Sequence, residues 1–165
     1  MITSRSLGPI LSLGIFVPAL FTSGCADKDS NLPDRKLTEF AMNYARSWSS
    51  SWPQMLAAHY AEDGMLQIND GDPAEGREAI AAVAQSFMTA LPDMVVRMDS
   101  LTISSGHPQF HWTLFATNSG PDGNGKTIQI SGYEEWTLNS EGLILKSFGH
   151  MDSDEYARQL EHGYP

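Results

Sequence analysis

The hydrophobic period of this chain changes once, near residue 92, and that change limits the folds open to it. Leu37, Phe40, Ala41, Tyr44, Ala45 and Trp48 recur at helical spacing and form one apolar stripe. Pro33 and Asp34 suit the start of that helix, and the Ser-rich stretch 47–51 suits its end. Pro53 opens a second, short helix with Met55, Leu56 and Tyr60 apolar. Residues 65–68 read as a brief strand and 69–76 as a turn-rich loop. Ile80, Val83, Ala84, Phe87, Met88 and Leu91 form the next helical stripe, which Pro92 stops. Beyond it the period is two. Segments 94–104, 110–118, 127–138 and 143–149 read as strands, with hairpin connections at 120–125 and 139–142. Residues 153–161 read as a closing helix, with Asp154 and Glu155 in its first turn. Consecutive hairpins predict an antiparallel sheet with helices covering one face, an α+β architecture.

The front of the chain carries a different signal. Arg5 precedes an apolar run over 7–21 that contains Pro9 and Pro18. A membrane-spanning helix needs about 20 apolar residues, so this run suits the centre of a secretory leader instead. Thr22, Ser23 and Gly24 are small, and Cys25, the chain's only cysteine, follows at once. The segment resembles a bacterial lipobox, with Thr22 where an aliphatic residue is usual. The expectation is a signal peptide over 1–24, a lipidated Cys25 and tether over 25–33, and one domain over 34–165, anchored to a membrane of the cell envelope or periplasm. Ordinary cleavage beside an unmodified cysteine is the other reading. A single thiol cannot build an internal disulfide framework.

Twenty acidic side chains against ten basic ones give a formal net charge of −10, and loss of Arg5 with the leader makes the mature chain more acidic still. That balance argues against a nucleic-acid partner and against attraction to anionic lipid.

Several short segments add a resemblance. Tyr60-Ala61-Glu62-Asp63-Gly64 resembles the Tyr-Ala-acid-acid segment of the nuclear transport factor 2-like superfamily, and Gly76-Arg77-Glu78-Ala79-Ile80 its Gly-Arg-Glu-x-Ile helix start. Leu91-Pro92-Asp93, Glu141-Gly142-Leu143-Ile144 and Tyr156-Ala157-Arg158-Gln159-Leu160 are similar to segments of SnoaL-like proteins, relatives of the polyketide cyclases. The resemblance covers about 34–163. It implies a cone-shaped curved antiparallel sheet wrapped around the N-terminal helices, in the cystatin-like manner, with an apolar pocket at its wide end. Members include isomerases, cyclases, hydrolases, dehydratases and proteins that only bind. The resemblance calls for no cofactor. It implies a small apolar ligand and, as one reading, a homodimer through the outer sheet face, where alternation puts Lys146 and Phe148.

In the polyketide cyclases an aspartate on the last strand, assisted by a histidine on the strand before, carries the proton. Those positions fall at Gly149 and Glu135 here, so the cyclase pair is absent. Glu134 and Glu135 face opposite ways on one strand. The cyclase alignment favours Glu135 as the inward one, grouped with Tyr133 and Thr137. Glu135, His150 and Asp152 are therefore the catalytic candidates. Asp152 equally suits a helix N-cap. Tyr44, Trp48, Tyr60, Asp93, His111, Trp112 and Tyr133 are the pocket candidates, and Trp112 rather than His111 is expected inside. Core packing is the plain alternative for Tyr44, Trp48 and Tyr60, and loop fixing for Asp93. The two functional readings are an acid–base enzyme acting on a small apolar substrate and a non-catalytic binding module.

The stretch Gly120-Pro121-Asp122-Gly123-Asn124-Gly125-Lys126-Thr127 fits the phosphate-loop pattern, but that loop must open a helix. The alternation from Thr127 to Ser131 predicts a strand, so the stretch reads as a hairpin. His107 and His111 are four apart with Pro108 between them, which argues against a shared helical metal site.

Overall fold

The computed structural model describes residues 33–165, so the leader, Cys25 and residues 26–32 lie outside the described residues. The elements are α1 (Arg35–Trp48), α2 (Pro53–Ala57), β1 (Tyr60–Ile68), β2 (Ala74–Glu75), α3 (Gly76–Ala90), β3 (Val95–Ser104), β4 (His107–Thr117), β5 (Thr127–Leu138), β6 (Ile144–Met151) and α4 (Ser153–His162). Asp34 caps α1 by accepting the Leu37 amide at 2.7 Å. The stripe of α1 then buries Ala41, Tyr44, Ala45 and Trp48, and α3 buries Ile80, Ala84 and Met88.

One curved six-stranded sheet runs in the order β2-β1-β6-β5-β4-β3. The expected hairpins pair β3 with β4, β4 with β5 and β5 with β6 antiparallel. Two expectations need correction. The sheet is mixed, because β1 lies parallel to β6. The first strand is also longer than 65–68 and begins at Tyr60, which the apolar pattern had assigned to α2. The early part of β1 slips register between Tyr60 and Met65. Gly64 sits in that slip, where an added Cβ would come within 2.8 Å of the Ile144 carbonyl, so only glycine lets β6 approach. The stretch 120–125 is the β4–β5 connection and Thr127 opens β5, as a hairpin requires.

Even-numbered residues of β5 face the helices: Ile128, Ile130, Glu134 and Trp136 are buried there. Gly132 breaks the row for a steric reason. An added Cβ would lie 2.4 Å from the His150 carbonyl oxygen and 2.7 Å from Cζ2 of Trp112, its partner on β4. The missing side chain lets the Trp112 indole lie against the sheet. Gly132→Ala is expected to destabilise the fold by about 1–3 kcal/mol through overpacking. Urea unfolding would show this as a lower midpoint with an unchanged slope.

Candidate functional site

Glu134 is the carboxylate the fold encloses. It is 5 % exposed, on β5, opposite Phe110 of β4 and Gly149 of β6. Its Oε2 accepts three hydrogen bonds: from the Tyr44 hydroxyl at 2.8 Å, the Trp136 indole at 3.1 Å and the Ser147 hydroxyl at 2.5 Å. The Tyr60 and Tyr44 hydroxyls are 2.7 Å apart. Since Tyr44 gives its proton to Glu134, Tyr60 donates to Tyr44, and a two-step donor chain ends on the carboxylate. Oε1 receives no hydrogen bond among the described residues, and Glu134 lines the main cavity. The two oxygens are thus unequal. One is saturated by donors, and the other is free to carry or take a proton.

Burial pushes the Glu134 carboxyl above its ordinary value of 4.5, while the bonds from Ser147, Trp136 and Tyr44 pull the other way. Burial also raises Tyr44 and Tyr60 well above the usual phenol value, so both keep their protons. Aromatic rings pack the site from below. Phe110 and Trp136 stack at 5.1 Å, and Tyr44 meets each edge-on at 5.5 and 5.0 Å.

The cavity that Glu134 lines measures about 50 Å³. Trp48, Phe87, Phe110, Trp112, Leu114 and Ile130 supply much of its wall. Tyr156 of α4 closes one side, near Phe87 at 6.5 Å between rings. Helix α4 is fixed by Asp152, which caps it by accepting the Glu155 amide at 2.9 Å, and by Gln159. The Gln159 side chain accepts from the Gln129 amide at 2.7 Å and donates to the Gln129 carbonyl at 2.9 Å, like an added strand residue. Trp112 Nε1 is the one buried side-chain nitrogen or oxygen among the described residues without a hydrogen-bond partner. An unmet buried donor costs about 1–3 kcal/mol. No group of three or more His, Cys, Asp or Glu that could hold a metal occurs among the described residues.

The sequence candidates divide. Trp48 and Trp112 line the cavity, and Tyr44 and Tyr60 sit behind Glu134. Glu135 does not face the pocket. It points to the outer side of the sheet and accepts from Gln109 at 3.1 Å, because the buried parity of β5 is even. Tyr133 shares that outer face, between the rings of His111 at 5.6 Å and His150 at 4.6 Å. His150 borders the cavity along β6, but it is exposed and its ring stacks outward on Tyr133. Asp152 is the α4 cap, and Asp93 fixes a loop by accepting the Thr117 amide at 2.7 Å. The sequence reading did not single out Ser147, Trp136 or an inward Glu134. The apolar neighbours Ile128, Ile130 and Trp136, all of even number, were the local signal for Glu134.

The mixed curved sheet over helices is the fold of ketosteroid isomerase-like and nuclear transport factor 2-like proteins. Residues 42–146 match the SnoaL-like domain family, and the chain belongs to it. TsrD from Streptomyces laurentii is similar in structure, with a TM-score of 0.67, 16 % identity and coverage of 79 % of this chain and 98 % of that one. So is a hypothetical protein of ketosteroid isomerase-like fold from Catenulispora acidiphila, in complex with trimethylamine (TM-score 0.64, 16 % identity, 73 % and 91 % covered). A third is the epoxide hydrolase/cyclase-like enzyme SalBIII of pyran ring formation in salinomycin (TM-score 0.62, 20 % identity, 72 % and 92 % covered). At these identities the likeness is one of fold. No curated protein matches.

The raised pKa of Glu134 makes stability depend on pH. In the unfolded chain the group ionises near 4.5, whereas in the folded protein it holds its proton to higher pH. Its favourable contribution is therefore complete below 4.5 and is lost as pH rises through the raised value. In Glu134→Gln the amide oxygen takes the three donors and nothing titrates. Urea midpoints should place the wild type highest relative to Glu134→Gln below pH 4.5, with the gap shrinking, then reversing or flattening, at higher pH.

Proposed function

We propose that the pocket is a proton-transfer site in which Glu134 acts as general acid or base on a small, largely apolar substrate, in an isomerisation, cyclisation or dehydration. A buried acid that lines an apolar cavity, with Oε2 held by three donors and Oε1 by none, is the observation that carries this reading. In neutral Glu134 the proton sits on Oε1, because Oε2 already accepts three. The group can therefore deliver a proton into the cavity, and after ionisation the charge left behind is met by donors already in place. Tyr44 and Tyr60 position and stabilise the carboxylate without facing the substrate.

The alignment with polyketide cyclases puts Gly149 at the position of their aspartate. Gly149 lies directly across from Glu134, and an added Cβ there would stand 3.7 Å from the Glu134 Cγ. The neighbouring strand thus brings a carboxyl group to the region a side chain at 149 would enter. The present cavity of about 50 Å³ favours a ligand of few atoms, since drug-sized ligands occupy about 300–1,000 Å³. A polycyclic substrate does not fit it. The trimethylamine held by the Catenulispora relative is of the smaller class. The missing cyclase aspartate also supports a second reading, a domain that binds such a molecule without changing it.

The leader motif supports an exported, lipid-anchored protein of the cell envelope. A homodimer through the outer sheet face would cover the rings of His111, Tyr133 and His150.

Two experiments follow from this reading. The piece 27–165 would be exposed to an extract of its own cells in deuterated water and examined by native mass spectrometry. A retained compound should gain deuterium or change mass with the wild type, about 10²–10⁴ times more slowly with Glu134→Gln, and at the wild-type rate with Glu135→Gln. A compound released unchanged by both proteins would establish the binding reading instead. Separately, Cys25→Ser in the full chain should abolish acyl labelling and move the protein from the membrane to the soluble fraction. Retention at the membrane in that variant would remove the anchor.

A further inference from the structure

The Trp112 indole is held in place by shape rather than by polar contact. It lies opposite Gly132, with its six-membered ring where a Cβ would otherwise stand, and its Nε1 is buried without a partner. A buried N–H left unpaired in a native protein points to a water or ligand that completes it. Trp112 lines the cavity that Glu134 faces, and the wall around both is mainly aliphatic and aromatic carbon. A water needs about 10–15 Å³ of cavity space, so about 50 Å³ is room for a few waters or one molecule of a few heavy atoms.

We infer that Trp112 is the specificity-determining residue of this pocket: its Nε1–H takes an acceptor oxygen of the ligand, so that small neutral molecules bearing a carbonyl or ether oxygen are selected over hydrocarbons of the same shape. The inference deepens the proposed function and rests on the same pocket. In the empty pocket water satisfies the indole. A ligand with an oxygen displaces that water and restores the bond, whereas a hydrocarbon displaces it and leaves the donor unpaired. The discrimination comes from the protein's own unmet donor, and Gly132 leaves the space in which its ring lies.

The test is a titration of the isotope-labelled protein with acetone and with isobutene, its hydrocarbon counterpart, read at the Trp112 indole N–H by nitrogen–proton correlation spectroscopy. Acetone should move that resonance downfield and saturably, and should bind about tenfold tighter than isobutene. Trp112→Phe, which keeps an aromatic ring and removes the N–H, should abolish the preference for acetone over isobutene, whatever the change of wall volume does to both affinities. Equal binding of the two probes, an unmoved indole resonance or no saturable shift with either would overturn the inference. So would tighter binding of trimethylammonium with the indole silent, which would assign the pocket to cations held by Glu134. The wild-type spectra decide the matter even if Trp112→Phe fails to fold. Turnover plays no part in the readout, so a failure of the acid–base reading leaves the indole result standing, and a silent indole leaves the Glu134 turnover test standing.

Discussion

The carboxyl group of Glu134 ties together parts of the chain that are far apart in sequence. Its Oε2 gathers donors from α1, β5 and β6, and through Tyr44 it reaches Tyr60 at the start of β1. A carboxylate enclosed by Phe110, Trp136 and the helices would be expelled if those donors were missing, since an unpaired buried charge is among the most expensive features a fold can hold. The donors need it in turn, because hydroxyl and indole groups buried at this depth have no water to turn to. The network therefore sets register as well as stability. A slip of β5 by one residue would bring Glu135 inside and turn the apolar row from Ile128 to Trp136 outward.

The same arrangement divides the labour between two oxygens of one side chain. The saturated Oε2 keeps the group where it is, and Oε1 is left without a donor on a side chain that lines the apolar cavity. The last strand contributes a glycine at 149, a serine that holds the acid at 147 and an outward-facing histidine at 150.

Much of the architecture was legible because period is a one-dimensional signal. The stripes of α1 and α3, the four later strands, the hairpin at 120–125 and the Asp152 cap are all written in local spacing. The parallel pairing of β1 with β6 was not, since nothing local in either strand states which distant edge it meets. The inward acid was misassigned for a related reason. An alignment to a remote family placed Glu135 inside, whereas the local parity of Ile128, Ile130 and Trp136 pointed to Glu134. Trp112 was expected in the pocket wall from the size of its ring, Trp48 was a candidate beside a plain core role, and both line the cavity. Whether His111, Tyr133 and His150 stack inside or outside depends on which face the helices cover, a property of the whole sheet.

The strand order carries a kinetic consequence. β6 is the last strand to be synthesised, yet it lies inside the sheet, between β1 and β5. Until it arrives the sheet exists only as two separate pieces, β1 with β2 on one side and β3 to β5 on the other. Ser147, one of the three donors to the buried acid, comes with it. A growing chain therefore cannot complete its core in stages. The buried acid waits for its donor from Ser147 until almost the whole domain has been made, and closure then joins the earliest and latest strands in one long-range step of the kind that slows folding.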